Sequence, residues 1–242
     1  MISSKFLRGR GRERLSPQEQ SLLEGSIGDV QVVPGAKTLV RRGEPIRSSM
    51  LIVEGFICRS ADDHQGQRQM VSLHVPGDFV DLDGFKLKRL DHDVITVGPA
   101  KVAIYEHDAI AKLIRRSSHL TASFWISGLL DAAIHRAWIF RLGRLEADAR
   151  IAHFFCELHA RLEAVGLAQN ASFEFPLTQP DLGQALGLTG VHTNRVLRSL
   201  RERGLLTLKN QRVDIGDWKS LAKLGNFDPG YLYSSGSKAG NH

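Results

Sequence analysis

Between Val30 and Ile104, apolar and polar residues alternate in short runs that glycines interrupt. Residues 38–40, 50–53, 56–59 and 69–75 read as strands, and Gly35, Gly43, Gly55, Gly66, Gly77 and Gly84 punctuate them at about the 8 to 12 residue spacing of an all-β sandwich or barrel. Asp62-Asp63-His64-Gln65-Gly66 supplies a hairpin turn. This part is predicted to be a small β-roll, or jelly roll. After Tyr105 glycine thins out and apolar residues follow helical spacing from Ile110 to Phe140. Ala122, Ile126, Leu129, Ala133 and Phe140 make one stripe, and Phe124, Ile134 and Trp138 make another, so the helix must be covered on two sides. The β-roll can cover one side and the same helix of a second copy the other, through a coiled-coil-like seam. A central helix in a monomer is the alternative.

A second helix follows Gly143, with Ile151, Phe154, Phe155, Leu158, Leu162 and Val165 on one face and Gly166 as its stop. His153 and His159 flank that face with no chemistry assigned. Residues 167–172 read as a polar loop. Past Asp228, Pro229, Gly230, Ser234, Ser235, Gly236 and Ser237 leave little to bury, which predicts a frayed tail.

The run 177–189, LTQPDLGQALGLT, is the most informative in the chain. Thr178 caps a helix, Pro180 sits in its first turn and Asp181 is the capping-box acid. Leu182, Ala185 and Leu186 form its apolar face, Gly187 permits a sharp turn, and Thr189 caps a second helix two residues later. Two helices joined that tightly make a helix-turn-helix. On the second helix Thr193, Val196, Leu197 and Leu200 face inward. Val191, Asn194, Arg195 and Arg198 then share an outward strip, where an Arg can reach guanine, an Asn adenine, and a short apolar side chain a thymine methyl. Residues 205–208 and 212–215 alternate around Lys209-Asn210-Gln211 and read as a wing whose Lys209 and Arg212 can meet phosphate. The expected DNA-facing set is Thr178, Gln179, Thr189, Gly190, Val191, His192, Asn194, Arg195, Arg198 and Lys209.

Composition adds the partner's sign. Lys and Arg total 32 against 26 Asp and Glu, a net charge of +6 that suits a polyanion. The only two cysteines, Cys58 and Cys156, form no CxxC, which excludes a disulfide scaffold and a zinc finger and points to a reducing cytoplasm. Residues 1–14 carry Lys5, Arg8, Arg10, Arg12 and Arg14 with no apolar stretch behind them, so they read as a flexible basic arm rather than a secretory signal. Even the apolar stretch 124–140 contains Asp131, His135 and Arg136, so no membrane span is expected. The expected fold class is α+β: arm 1–14, β-roll sensor 15–110, dimerisation helix 111–143, winged helix 144–227 and flexible tail 228–242.

At this point the sequence resembles the Crp/Fnr family of bacterial transcription regulators. Residues 177–206, LTQPDLGQALGLTGVHTNRVLRSLRERGLL, are similar to its helix-turn-helix signature. Pro34-Gly35 to Phe79, with RRGEPIRSSMLIVEGF and HVPGDF, resembles its cyclic-nucleotide-binding-like β-roll. The resemblance implies a homodimer on a near-palindromic site, double-stranded DNA and RNA polymerase as partners, and Arg195 in the slot for guanine contact. The preceding slots hold Gly190, Val191 and His192, so the half-site is expected to differ from that of the best-known members.

Cyclic-nucleotide-binding members hold the phosphate with an Arg-Ser or Arg-Thr pair, and the matching slot near Leu90-Asp91 has none. Asp78, Asp81, Asp83, Asp91 and Asp93 are expected to gather negative charge there unless Lys86, Lys88 or Arg89 folds inward, so cyclic AMP is disfavoured. The effector is unidentified, with Phe79, Asp81, Asp83 and His92 as its expected pocket. The oxygen-sensing branch uses N-terminal cysteines, which this chain lacks, so no iron-sulfur cluster is expected. His74, His92 and the aspartates are the candidate metal groups, but no spacing fixes a metal site. Cys58, in an apolar strand, reads as buried and inert. Two other classes compete: a scaffold whose winged helix grips protein, and a metal-dependent hydrolase built on His92-Asp93 and His107-Asp108. The second finds no nucleophile elbow or phosphate loop, and no catalytic residue is assigned.

Overall fold

In the computed structural model, residues 1–9 and 15–234 are described. They form two compact units, Met1–Ala61 with Ser72–Ala132, and Asp62–Val71 with Ala133 onward.

The first unit opens with helix α1 (Pro17–Glu24), which Ser16 and Glu19 start with a reciprocal capping box. Strands β1 (Asp29–Val33), β2 (Thr38–Val40), β3 (Ser48–Asp62), β4 (Arg68–His74) and β5 (Asp93–Glu106) form one sheet in the order β1-β5-β3-β4, with β2 also pairing β5. The predicted strands 50–53 and 56–59 are one strand. Glu54-Gly55 is an irregularity inside it, where Gly55 has φ +83° and a Cβ would lie 2.4 Å from the Pro99 carbonyl oxygen. A short helix α2 (Gly84–Leu87) fills the connection from β4 to β5.

The expected flexible arm is not flexible in its described part, residues 1–9. Glu24 accepts hydrogen bonds from Ile2 N–H at 2.7 Å, Ser3 N–H at 2.9 Å and the Ser3 hydroxyl at 2.7 Å. Phe6 is buried against Phe79 and Phe124, at 5.4 and 5.8 Å between ring centroids. Phe6 and Leu7, both buried, anchor the segment among its basic side chains. Residues 10–14 lie outside the described set.

The long helical pattern breaks once. Helix α3 (His107–Arg116) ends at Ser117, which is extended, and α4 (Ser118–Arg144) follows, so the expected helix 111–143 starts at Ser118. Phe124, Ala133, Ile134 and Trp138 of α4 are buried. Trp125, Leu129, Ala132, Arg136, Ile139 and Gly143 are exposed, in alternating steps of four and three. Of the stripe expected through Ala122, Ile126, Leu129, Ala133 and Phe140, Leu129 and Phe140 are exposed, Ala122 and Ile126 half-buried and Ala133 buried, whereas the second stripe, Phe124, Ile134 and Trp138, is buried throughout. Only packing decides which of two adjacent apolar stripes is covered.

In the second unit, α5 (Ala147–Ala164) is buried along most of its length. It is followed by β6 (Ala168–Gln169), β7 (Ser172–Glu174), α6 (Gln179–Leu186), α7 (Gly190–Glu202), β8 (Leu206–Lys209), β9 (Arg212–Ile215) and α8 (Trp218–Leu224). The strands make a four-stranded sheet in the order β6-β7-β9-β8. The segment expected as a polar loop thus begins a hairpin, with Asn170 and Ala171 both at positive φ in its turn. Strands of two and three residues are too short for period-two alternation to register.

Glu157 of α5 sits at the centre of this unit, almost fully buried. It accepts from Trp138 Nε1 at 3.1 Å, Arg161 Nη1 at 3.3 Å and the Tyr231 hydroxyl at 2.8 Å, and lies 3.7 Å from Arg141 Nη1. Arg141 is wholly buried, its guanidinium 4.2 Å above the Trp138 ring. Burial alone would raise the Glu157 carboxyl, but Arg141 and Arg161 outweigh it and hold the group below its ordinary range. Tyr231 belongs to a 3₁₀ turn (Pro229–Leu232) whose Leu232 is fully buried, so the tail expected to fray from Asp228 is packed through Leu232. Residues 235–242 lie outside the described set.

Candidate functional site

The helix-turn-helix is built as its residues dictate. Thr178 Oγ1 donates to Asp181 Oδ2 at 2.6 Å and accepts from Asp181 N–H at 3.3 Å, while Asp181 Oδ2 accepts Thr178 N–H at 2.8 Å. Gly187 ends α6 at φ +63°, a conformation that a Cβ disfavours. Gly183 has no room for a side chain either, because a Cβ would lie 2.7 Å from the Leu188 carbonyl oxygen. Thr189 then caps α7 by accepting His192 N–H at 3.3 Å.

Thr193, Val196, Leu197 and Leu200 are buried as expected. Thr178, Gln179, Thr189, Gly190, Val191, Asn194, Arg195, Arg198 and Lys209 are exposed, and His192 is half-buried. The α6 start, the outer strip of α7 and the wing thus offer their polar groups to solvent from one unit. Arg198 Nε donates to Glu202 at 2.8 Å and Arg212 lies 3.4 Å from Asp214, so neither is a free cation. Among the described residues, no carboxylate pairs with Arg195, which leaves its guanidinium available for a bidentate contact. Asn210 and Gln211, both at positive φ, make the tight wing turn beside Lys209.

In the first unit, Phe79 parts from the expected pocket, while Asp81, Asp83 and His92 lie around Arg59. Phe79 is core, its ring 5.4, 5.3 and 5.8 Å from those of Phe6, Tyr105 and Phe124. Lys86, Lys88 and Arg89 stay exposed, with Lys86 and Lys88 over the Phe85 ring. The cation that meets the aspartates is Arg59 of β3, which the sequence reading passed over. Its buried side chain donates from Nε to the Val80 carbonyl at 2.8 Å and from Nη1 to Asp131 at 2.6 Å, and Nη2 lies 3.9 Å from Asp83. An arginine at an inward position of an otherwise apolar strand was the available signal.

Asp81 is fully buried. Its Oδ1 accepts Met50 N–H at 2.6 Å, and Oδ2 has no hydrogen-bond partner among the described residues. Burial pushes its carboxyl up to about 7, against the opposing pull of the Met50 N–H and Arg59. Between about pH 4 and 7 the native state therefore holds a proton that the unfolded chain has released, so stability should fall as pH rises through that window. Asp81→Asn should flatten the fall, which amounts to roughly 4 kcal/mol at most. Urea unfolding from pH 4 to 7.5 checks this, and an unchanged slope in the variant would assign the proton elsewhere.

The other candidates are used locally. His92 Nδ1 is 2.7 Å from Asp91, and burial, then Arg59, lowers its imidazole. His74 faces Ser72 at 2.9 Å and Asp78 at 3.7 Å. Asp93 accepts Arg42 N–H, and His107 faces the Ser49 hydroxyl. Among the described residues, no group of three or more His, Cys, Asp or Glu side chains is placed to hold a metal ion. Both cysteines are buried, and burial raises the Cys156 thiol to about 12. A cysteine-ligated cluster does not fit a chain with two cysteines, both of them buried. His159 lies between Phe173 and Trp218, and His153 bonds the Gly225 carbonyl. No described helix is long and apolar enough to cross a membrane.

A β-roll, a long helix and a winged helix with an unpaired arginine on its second helix define a DNA-binding transcription regulator. The comparisons agree. Residues 30–117 match the cyclic nucleotide-binding domain family, and residues 149–224 match the Crp-like helix-turn-helix domain. The chain is 26% identical over 214 residues to the transcriptional activator protein FnrL of Cereibacter sphaeroides, covering 86% of this chain and 84% of that one. It is 24% identical over 210 residues to the anaerobic regulatory protein of Pasteurella multocida, covering 87% and 77%. Its fold matches FixK2 from Bradyrhizobium japonicum with a TM-score of 0.74 at 20% identity, over 81% of this chain and 96% of that chain. The chain belongs to the Crp/Fnr family of transcription regulators.

Proposed function

We propose that the protein acts as a homodimer that reads a near-palindromic DNA site with the helix 189–202, and that RNA polymerase is its partner at promoters. Arg195 carries the reading: it is exposed, unpaired among the described residues, and stands mid-strip on the helix that the turn presents. Dimerisation is supported by the exposed 4-3 seam of α4, where Trp125, Leu129 and Ile139 are 72, 55 and 71% exposed. The β-roll serves as the control element, with an effector other than cyclic AMP. Arg59 is already engaged by Asp131 and Val80, so an added phosphate would face Asp81, Asp83 and Asp131 without a free cation.

The test is selection of bound duplexes from a random pool, with and without metabolite extract, at stated salt. A two-fold symmetric consensus is expected. Arg195→Ala should then cost about 1 to 3 kcal/mol at one base pair of each half-site, and Lys209→Ala should weaken all sequences alike. Equal losses on every duplex for Arg195→Ala would demote it to a phosphate contact. No enrichment under either condition would move weight to a protein-binding winged helix.

A further inference from the structure

Residues 228–233 lie past the matched helix-turn-helix domain, yet they are built into the second unit. Asp228 accepts Gly230 N–H at 2.8 Å and Pro229 opens the 3₁₀ turn, so the turn is set locally. Leu232 is fully buried and Tyr231 half-buried. The Tyr231 hydroxyl donates to Glu157 Oε2 at 2.8 Å and lies 3.2 Å from His153 Nε2, with the Tyr231 and His153 rings stacked at 6.2 Å between centroids. Trp138, Arg141 and Arg161, which also meet Glu157, are all 2% exposed or less. Tyr231 is thus the outer member of this group and stands between its charges and water.

The group joins two helices. Trp138 and Arg141 belong to the last two turns of α4, and both face Phe154 of α5, at 6.1 and 5.2 Å. Glu157 and Arg161 belong to α5. Attraction between opposite charges is several times stronger in a dry site than in a wet one, so the α4–α5 joint is stiff while Tyr231 keeps water out. A dimer on a two-fold site must reach two half-sites at one separation. One extra base pair moves a half-site about 3.4 Å along the duplex and about 35° around it. A stiff joint cannot follow that displacement, whereas a loose one follows it at lower effective concentration. We infer that Tyr231 is a positioning residue that stiffens the α4–α5 joint and thereby fixes the half-site spacing the protein accepts. The inference rests on the homodimer reading above.

On the symmetric duplex selected by the full-length protein, one base pair inserted at the centre should weaken wild-type binding about 10²-fold, because the second half-site no longer engages intramolecularly. Tyr231→Phe keeps the ring and removes the donor to Glu157, and in it the same insertion should cost only about tenfold. Tyr231→Ala should lower the penalty further. A duplex with a single half-site should bind the wild type and both variants alike, a readout that a general weakening of the winged helix would move. The inference is overturned if the wild type tolerates the insertion, if folded Tyr231→Phe keeps the wild-type penalty, or if Tyr231→Phe loses the single half-site as much as the symmetric duplex. Should Tyr231→Ala fail to fold, Tyr231→Phe decides by the same criteria. Selection of a lone half-site would reject the homodimer reading and the spacing role together, whereas a symmetric duplex with an unchanged penalty in Tyr231→Phe would reject only the role of Tyr231.

Discussion

Glu157→Ala should destabilise the protein by about 3 to 5 kcal/mol, the usual consequence of removing one partner from a buried ion pair. Arg141 would remain in the interior without the Glu157 charge, Arg161 would lose its Glu157 contact, and Trp138 Nε1 and the Tyr231 hydroxyl would lose their acceptor. Among the described residues the Arg141 guanidinium has no hydrogen bond, and the Glu157 charge and the Trp138 and Phe154 ring faces compensate it. Glu157→Gln should fall between wild type and Glu157→Ala, because it keeps the volume and one acceptor and loses the charge. Urea unfolding of the full chain measures both. A loss below about 1 kcal/mol for Glu157→Ala would mean that the cluster contributes little and that solvent reaches it.

The second large effect concerns the proposed dimer. Leu129→Lys combined with Ile139→Lys places two charges in the exposed seam of α4 while touching no buried contact of the monomer. The double variant should keep its far-ultraviolet spectrum, sediment as a monomer, and bind a symmetric site about 10² to 10⁴ times more weakly, since the second half-site no longer engages as an intramolecular event. Sedimentation velocity and titration on the selected duplex check the two halves of this expectation. A wild-type monomer, or a variant that still dimerises, would remove the seam from the account.

The DNA-reading half was legible because its instructions are local. Thr178 and Asp181 close a capping box within three residues, Gly187 turns the chain where a Cβ would strain it, and the apolar spacing of α7 leaves only one strip outward. Each of these acts over one or two turns, so reading the residues amounts to reading the geometry. The wing was legible for the same reason, while β6 and β7 were too short to announce themselves. The arm and the tail misled because charge and small residues dominate their composition, yet Phe6 and Leu232 decide their fate by burial.

The β-roll half depends on partners far apart in the chain. Arg59 meets Asp131 across 72 residues, and Phe79, which looked like a pocket residue, meets Phe6 and Phe124. The chain by itself determined the class of fold, the order of its parts, the helix-turn-helix and which strip of its second helix faces outward, all of which follow from periodicity and capping. Only the tertiary structure decided which stripe of α4 faces solvent, which cation answers the aspartates, and that Glu157 gathers Arg141, Arg161 and Tyr231. Burial and pairing are properties of neighbours in space, and no local pattern specifies which distant residue will arrive.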